Sequence, residues 1–202
     1  ILGWRMGADG TPLLRVQPGV TLAALRRWLE NPLPDTGAER SRDTEFFRSR
    51  KWRFPPDPTE PGASIGGMTA CNASGARSFL FGATRRWIES LRVVLADGDT
   101  LVLERGVQRA RGGRFALSSE RGRRIAGVLP DCRPPPVKHA AGYLLARDMD
   151  LLDLFVGSEG TLGVITEIEL RLRPCPLETW GLMAFPRDEN AAIELTLALR
   201  DR

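Results

Sequence analysis

The ten residues GSEGTLGVIT, at positions 157–166, say most about how this chain folds. Their three glycines allow main-chain conformations with positive φ, and they leave a bare backbone that another molecule can approach closely. The residues that follow alternate between apolar and charged side chains as far as position 173, which predicts a half-buried strand. Taken alone, the glycine run is either a tight turn that leads into this strand or a turn against which a ligand lies.

The predicted strand has one irregular position. Val164, Ile168, Leu170 and Leu172 share its apolar face, whereas Ile165 falls among the charged residues of the other face. An apolar side chain in that place covers either a flat ligand or a neighbouring helix, and the pattern favours neither.

A second stretch, SIGGMTACNASG at positions 64–75, consists mainly of small side chains. Such side chains expose main-chain N–H groups, which bind phosphate oxygens in loops and at the N-termini of helices. Close packing of a helix on a sheet also requires glycine and alanine, so that interpretation stays open. Neither stretch is a Walker loop or a Rossmann fingerprint, because the glycine spacing and the accompanying residues differ.

The other patterns predict a mixture of helices and strands. Strands are expected within 10–20 and at 91–96, 101–103 and 180–185, and helices are expected from Thr21 to about Glu30, over 148–157 and after Asn190. Asp97-Gly98 between two apolar runs predicts a hairpin. Six prolines within 31–63 predict a long surface connection. The many arginines of 105–136 favour a solvated insertion over a binding patch, because Phe115 is the only aromatic residue among them.

Composition narrows the class of protein. A hydrophobic fraction of 42% in 202 residues is ordinary for a globular chain, and the formal net charge of +4 is too mild for a nucleic-acid-binding tail. Three widely spaced cysteines and a single histidine do not make a metal site or a disulfide framework, so a reducing compartment is expected. No apolar run approaches the roughly 18 residues of a transmembrane span.

Read together, the two glycine-containing stretches are far more specific than either one alone. With their surroundings they resemble the FAD-linked dehydrogenases of the vanillyl-alcohol-oxidase-like family, which have a PCMH-type FAD-binding domain. The glycolate oxidase and D-lactate dehydrogenase subgroup is the most similar. The resemblance covers roughly residues 13–30 and 54–175, and it rests on Phe54–Pro58, Ala63–Gly75, Leu91–Gly98, Lys138–Tyr143 and Asp153–Pro174.

The resemblance implies an α+β fold in which FAD lies between two α/β subdomains. By position it implies cofactor contacts from Asp57, Ala63, Ser64, Ile65, Gly66, Gly67, Cys71, Asn72, Ala73, Ser74, Gly75, Glu159, Gly160, Thr161, Leu162, Gly163, Val164 and Ile165. The family often has threonine at the position of Cys71 and asparagine at that of His139, and we interpret His139 as a surface or packing residue. No catalytic residue and no metal ligand is assigned.

The resemblance also implies a domain division. Residues 1–175 match the FAD-binding domain without the family's first phosphate-binding loop, and 176–202 match the start of the C-terminal substrate or cap domain, so truncation at both ends is expected. The function implied is transfer of a hydride from a small 2-hydroxy acid to flavin, with the electron acceptor unassigned. A cytoplasmic location, either free or peripheral to the membrane, is expected, with no nucleic-acid partner.

Two alternatives remain open from the sequence. One is a flavin-binding fragment or module without catalysis of its own. The other is an α+β domain whose arginine-rich segment binds a partner or nucleic acid.

Overall fold

The computed structural model describes residues 1–30, 42–130, 132, 135 and 142–200, with the backbone alone for 42–44. The strands are β1 (Gly3–Met6), β2 (Pro12–Val16), β3 (Trp52–Arg53), β4 (Ile88–Val94), β5 (Thr100–Glu104), β6 (Arg109–Ala110), β7 (Arg114–Ser118), β8 (Arg124–Val128), β9 (Met149–Asp150), β10 (Val164–Arg171) and β11 (Arg173–Pro174). The helices are α1 (Leu22–Glu30), α2 (Arg42–Arg48), α3 (Ile65–Ala70), α4 (Ser78–Phe81), α5 (Leu152–Phe155) and α6 (Glu189–Arg200), with a 3₁₀ turn at Thr84–Trp87. The expected α+β class is confirmed.

A five-stranded antiparallel sheet organises the fold, in the order β1-β2-β10-β4-β5. Its centre is β10, the predicted alternating strand, which pairs with β2 on one side and β4 on the other. The predicted hairpin is β4–β5, and Gly98 in its turn has φ +76°. Short two-stranded sheets, β3–β11, β6–β9 and β7–β8, lie outside the main sheet.

The irregular position in β10 has a structural cause. Ile165 lies opposite Val93 but Glu167 lies opposite Arg92, so the strand contains one extra residue at Thr166. Such a bulge reverses which side of the strand faces the core. Ile165 therefore packs against the core, and the prediction that Val164 shares the apolar face is wrong, since its side chain is 67% exposed.

Helix α1 covers the sheet as the periodicity predicts. Leu22, Leu25 and Leu29 are all buried, and the Thr21 side chain accepts a hydrogen bond from the Ala24 N–H at 3.1 Å, as an N-cap does.

The predicted surface connection over 31–63 is wrong for its second half. Within the described residues this segment forms α2 and β3, and Phe47 is fully buried. Its ring stacks on Trp4 at 4.6 Å and on Trp52 at 5.8 Å, and the Trp52 indole donates to the Phe47 carbonyl oxygen at 2.7 Å. The aromatic residues bury this segment in spite of its prolines, and the part over 31–41 lies outside the described residues.

Two other expectations are refined. The insertion at 105–136 contains β6, β7 and β8, and most of β7 and β8 is exposed. The helix expected over 148–157 shortens to α5 and is preceded by β9.

The prediction of a strand at 180–185 is wrong, because the chain there has no regular secondary structure and is exposed.

The last predicted helix forms as α6, but its cap differs from the prediction. Asp188, not Asn190, accepts from the Ala191 N–H, at 2.8 Å. The prediction that its apolar side chains make contacts is wrong, because α6 has no buried residue.

The structure also answers whether a helix could span a membrane and whether the cysteines are paired. In the described part of the chain, no helix is both long enough and apolar enough to cross a membrane. Cys71 and Cys132 are exposed and Cys175 is half-buried, and all three are free thiols.

We predict that Phe47→Ala lowers the free energy of unfolding by about 3–5 kcal/mol, because it removes a fully buried ring between two tryptophans. Phe79→Ala is the matched control, since Phe79 is 79% exposed, and it should change the stability by less than about 0.5 kcal/mol. Urea unfolding of the two variants measures the difference. Equal losses would show that the 42–56 segment is not part of the core.

Candidate functional site

The small-residue stretch at 64–75 contains α3, a helix of six residues. Its N-cap is Ser64, whose side chain accepts from the Gly67 N–H at 3.0 Å. The Ile65 N–H donates to the Val20 carbonyl, the Gly66 N–H to Pro18 and the Met68 N–H to Ser64. The N–H groups that the sequence offered for phosphate binding at this helix are therefore already bonded to the protein.

The glycine-containing stretch at 157–166 crosses the C-terminal end of α3. The Gly157 N–H donates to the Thr69 carbonyl and the Glu159 N–H to the Ala70 carbonyl, each at 3.0 Å. These carbonyls lie in the last turn of the helix. Thr69 also accepts from the Asn72 N–H at 3.2 Å, and Ala70 accepts from no other main-chain N–H of the described residues. The crossing loop has φ +90° at Gly157 and +52° at Glu159. The two stretches that the sequence singled out are thus in direct contact.

A cavity of about 400 Å³ opens where they meet, and we call it the inter-loop cavity. It is lined by Pro18, Gly19, Ser64, Gly66, Gly67, Ala70, Gly160, Gly163, Val164 and Ile165. No charged side chain of the described residues lines it. Beside it, the N–H groups of Gly160 and Leu162 have no hydrogen-bond partner among the described residues.

Seven of the residues expected to contact the cofactor line this cavity, namely Ser64, Gly66, Gly67, Gly160, Gly163, Val164 and Ile165. The others do not line it, namely Asp57, Ala63, Ile65, Cys71, Asn72, Ala73, Ser74, Gly75, Glu159, Thr161 and Leu162.

Several of the residues outside the cavity have partners within the protein. Asp57 forms ion pairs with Arg26 and with Arg77. Asn72 accepts from the Arg85 N–H at 2.9 Å. His139, which the sequence analysis placed on the surface or in packing, lies outside the described residues.

The glycines of the two stretches divide into two groups. A Cβ at Gly66 would lie 2.6 Å from the Pro18 Cβ, and one at Gly163 would lie 2.7 Å from the Val94 carbonyl oxygen, so chain packing itself requires glycine at both positions. A Cβ at Gly67 would meet only the Ser64 hydroxyl, at 3.1 Å, and one at Gly160 would meet nothing within 4 Å. Packing leaves the space in front of Gly67 and Gly160 open.

Several known proteins resemble this chain in sequence. A family described as "FAD binding domain" matches residues 36–104, which include the small-residue stretch at 64–75. The mitochondrial D-lactate dehydrogenase [cytochrome] of Arabidopsis thaliana is 39% identical over 149 residues, or 73% of this chain and 20% of that protein. The glycolate oxidase subunit GlcD of Bacillus subtilis (strain 168) is 34% identical over 142 residues, or 70% of this chain and 23% of that protein. The chain contains a match to an FAD-binding domain and is similar to FAD-linked dehydrogenases and oxidases.

The matched domain indicates that the cofactor is FAD. The chain spans about a fifth of the length of each of these two relatives. Among solved structures, an alkyldihydroxyacetonephosphate synthase aligns with 86% of this chain and 21% of its own, at 18% identity and a TM-score of 0.48.

Sequence reasoning missed three residues that line the cavity, Pro18, Gly19 and Ala70. Pro18-Gly19 is recognisable as a turn, but only the fold shows that Gly66 packs against it. It also missed Arg85, which lies beneath the crossing loop.

Arg85 connects both stretches of this FAD-linked chain. The Arg85 guanidinium donates to the Val156 carbonyl, immediately before the crossing loop. The Arg85 main-chain N–H donates to the side-chain oxygen of Asn72, two residues after the end of α3. The Arg85 Nε is 4.0 Å from the Asp153 carboxylate and has no hydrogen-bond partner among the residues that the structure describes. Burial lowers the pKa of the Arg85 guanidinium; the charge of Asp153 opposes this shift and that of Arg105 adds to it.

We predict that Arg85→Met loosens the crossing loop, because the Val156 carbonyl loses the guanidinium that holds it, whereas the main-chain N–H of residue 85 still donates to Asn72. The amide hydrogens of Gly157 and Glu159 should exchange about tenfold faster, which corresponds to roughly 1.4 kcal/mol of local stability. Hydrogen exchange read by mass spectrometry of the 157–163 segment measures this. The control is Arg92→Met, which removes an exposed pair with Glu120 and should leave this exchange unchanged. The same rate in both variants would contradict the assignment.

Proposed function

We propose that the inter-loop cavity holds part of FAD, and that the parent protein transfers a hydride from a small 2-hydroxy acid to the flavin. One observation carries the proposal: two stretches about ninety residues apart enclose a cavity of about 400 Å³, and packing leaves Gly67 and Gly160 bare in front of it. The relatives named D-lactate dehydrogenase and glycolate oxidase support a substrate of this class.

The cavity walls suit a flat, uncharged part of the cofactor. Pro18, Ala70, Val164 and Ile165 present apolar surface, and glycines allow the ring to lie on the main chain. The 67% exposure of Val164, unusual for a valine in a central strand, is explained if a ligand covers it.

Polar parts of the cofactor need donors elsewhere. The N-terminal N–H groups of α3 are bonded to Val20, Pro18 and Ser64, so we do not assign phosphate binding to this helix. The open N–H groups of Gly160 and Leu162 are better candidates for cofactor oxygens.

Bound FAD supplies the hydride acceptor. The residues described above bind and orient it and keep water from the covered face. No residue of this chain is assigned as the group that removes the substrate proton.

We propose the same domain division as the sequence suggests, with 1–175 as the FAD-binding domain and 176–202 as the start of a substrate or cap domain. The exposure of Leu177, Trp180, Leu182 and Phe185, each above 85%, supports a further surface that covers this segment. Three free thiols support a reducing, cytoplasmic location.

We predict that Gly160→Val weakens FAD binding at least about tenfold, because the side chain occupies the open space beside the cavity. Gly98→Val is the control: Gly98 has φ +76° against +79° for Gly160, and a Cβ at either position meets nothing within 4 Å. Both variants carry similar backbone strain, but only one lies at the cavity. Fluorescence titration with FAD distinguishes them, and equal affinities would remove the cavity assignment.

The second prediction concerns the reaction. When FAD-loaded protein is mixed with D-lactate or glycolate without oxygen, the visible flavin band should bleach, and it should not bleach with propionate, which lacks the hydroxyl. Bound FAD that is bleached by dithionite but by no 2-hydroxy acid would favour a flavin-binding module without catalysis. A chain that takes up no FAD would contradict both.

A further inference from the structure

Helix α4 presents two adjacent apolar side chains to solvent. Phe79 is 79% exposed and Leu80 is 70% exposed, more than any other large apolar side chain that the structure describes before residue 176. The next residue, Phe81, is buried, and its ring packs edge-on against Trp87 with the ring centres 6.1 Å apart. The helix is therefore held to the fold by one ring while Phe79 and Leu80 form an apolar tip. Exposed apolar surface of this kind marks contact with another molecule or with a membrane.

Basic side chains lie beside this apolar tip. Leu80 lines a cavity of about 670 Å³ together with Arg50, Arg86 and Arg173. All three arginines are exposed, as is Lys51, which follows Arg50 in the chain. Within the described part of the chain, none of these four cations forms an ion pair with a carboxylate. We call the tip and the four cations together the basic–apolar patch.

The surroundings of the patch do not neutralise its charge. Arg171 also lines the cavity, but Glu89 and Asp9 already pair with it. No carboxylate among the described residues lines the cavity. Arg50 is also held in place, since its guanidinium lies 4.9 Å from the centre of the Phe46 ring. The patch therefore offers positive charge to an external partner.

An apolar tip surrounded by cations matches the surface of an anionic bilayer. Apolar side chains of peripheral proteins enter the boundary between headgroups and acyl chains, roughly 5–10 Å deep, and nearby arginines and lysines are attracted to anionic lipids. A small anion would satisfy the cations but would leave Phe79 and Leu80 in water. An acidic polypeptide would do the same unless it also carried an apolar pocket, whereas a bilayer supplies both kinds of contact in one surface.

We propose that the basic–apolar patch docks this protein on the surface of an anionic bilayer. Phe79 and Leu80 enter the layer below the headgroups, and the four cations lie against the lipid phosphates. Such a contact is made at the surface, so it requires no helix that crosses the membrane.

The docking surface is separate from the proposed cofactor site. Ile165, near the start of β10, lines the inter-loop cavity, whereas Arg171, at the end of the strand, lines the cavity beside the patch. Six residues of extended chain separate the two by about 20 Å. The proposal therefore stands whether or not the inter-loop cavity holds FAD.

Sedimentation of the chain with lipid vesicles tests the proposal. Vesicles that contain phosphatidylserine as well as phosphatidylcholine should bind the chain at least about tenfold more tightly than vesicles of phosphatidylcholine alone, because only the former attract the cations. Raising the salt concentration should reduce this difference. Equal binding to both kinds of vesicle, or no binding to the anionic ones, would overturn the proposal.

One pair of variants tests the apolar tip. Phe79→Ala with Leu80→Ala should weaken binding to the anionic vesicles at least about tenfold, because less apolar surface leaves water. Val107→Ala with Val128→Ala is the control, since these valines are 64% and 67% exposed and lie outside the patch. An unchanged affinity after loss of the tip would overturn the proposal.

A second pair tests the cations. Arg50→Gln with Arg86→Gln should weaken binding about thirtyfold, since each cation near an anionic membrane changes the affinity about fivefold. Arg114→Gln with Arg124→Gln, on the exposed β7–β8 hairpin, removes the same charge and should change the affinity by less than about twofold. Equal effects of the two arginine pairs would mean nonspecific attraction and would overturn the proposal.

Polyglutamate distinguishes a bilayer from an acidic protein as the partner. Polyglutamate that binds as tightly as the anionic vesicles, with an affinity unaffected by loss of Phe79 and Leu80, would indicate a site for acidic polypeptides and would overturn the proposal. Gly160→Val should lose FAD but keep vesicle binding, and loss of the apolar tip should leave the FAD affinity unchanged. Failure of the docking surface is thus distinguishable from failure of the cofactor site.

Discussion

The structure depends on two hydrogen bonds at the C-terminal end of α3. There the N–H groups of Gly157 and Glu159 donate to the carbonyls of Thr69 and Ala70. Thr69 also accepts from the Asn72 N–H at 3.2 Å, whereas Ala70 accepts from no other main-chain N–H of the described residues. Because unpaired buried carbonyls are costly, this exchange fixes one loop against the other although they are far apart in sequence. The inter-loop cavity exists because of this crossing.

Close approach of the chain explains several glycines of the two stretches, and positive φ favours glycine at Gly157 and Gly160. Gly66 packs on Pro18 and Gly163 on Val94, while a Cβ at Gly75 would overlap the Asp57 carbonyl. At Gly67 and Gly160 no such contact exists. Packing therefore accounts for Gly66, Gly75 and Gly163, and the ligand interpretation remains our proposal for Gly67 and Gly160.

Much of the fold could be predicted, because local periodicity determines it. The hairpin at Asp97-Gly98, the cap at Thr21 and the alternation of β10 follow from side chains within a few residues of one another. The segment around Phe47 could not, since proline content says nothing about distant tryptophans that stack on its ring.

The site was predictable in outline but not in detail. Two glycine-containing stretches indicated where it lies, and the fold brings them into contact. A one-residue bulge at Thr166 exchanged the roles of Val164 and Ile165, and no periodic pattern contains that information. Arg85 likewise looks like one arginine among many until its partners on both stretches are known.

Hydrogen exchange with and without FAD tests the central claim most directly. If the cavity between α3 and the crossing loop holds the cofactor, FAD should slow exchange in 64–70 and in 157–165 together and leave the β7–β8 hairpin unchanged. Protection in only one of the two stretches, or in neither while FAD is bound, would contradict the account.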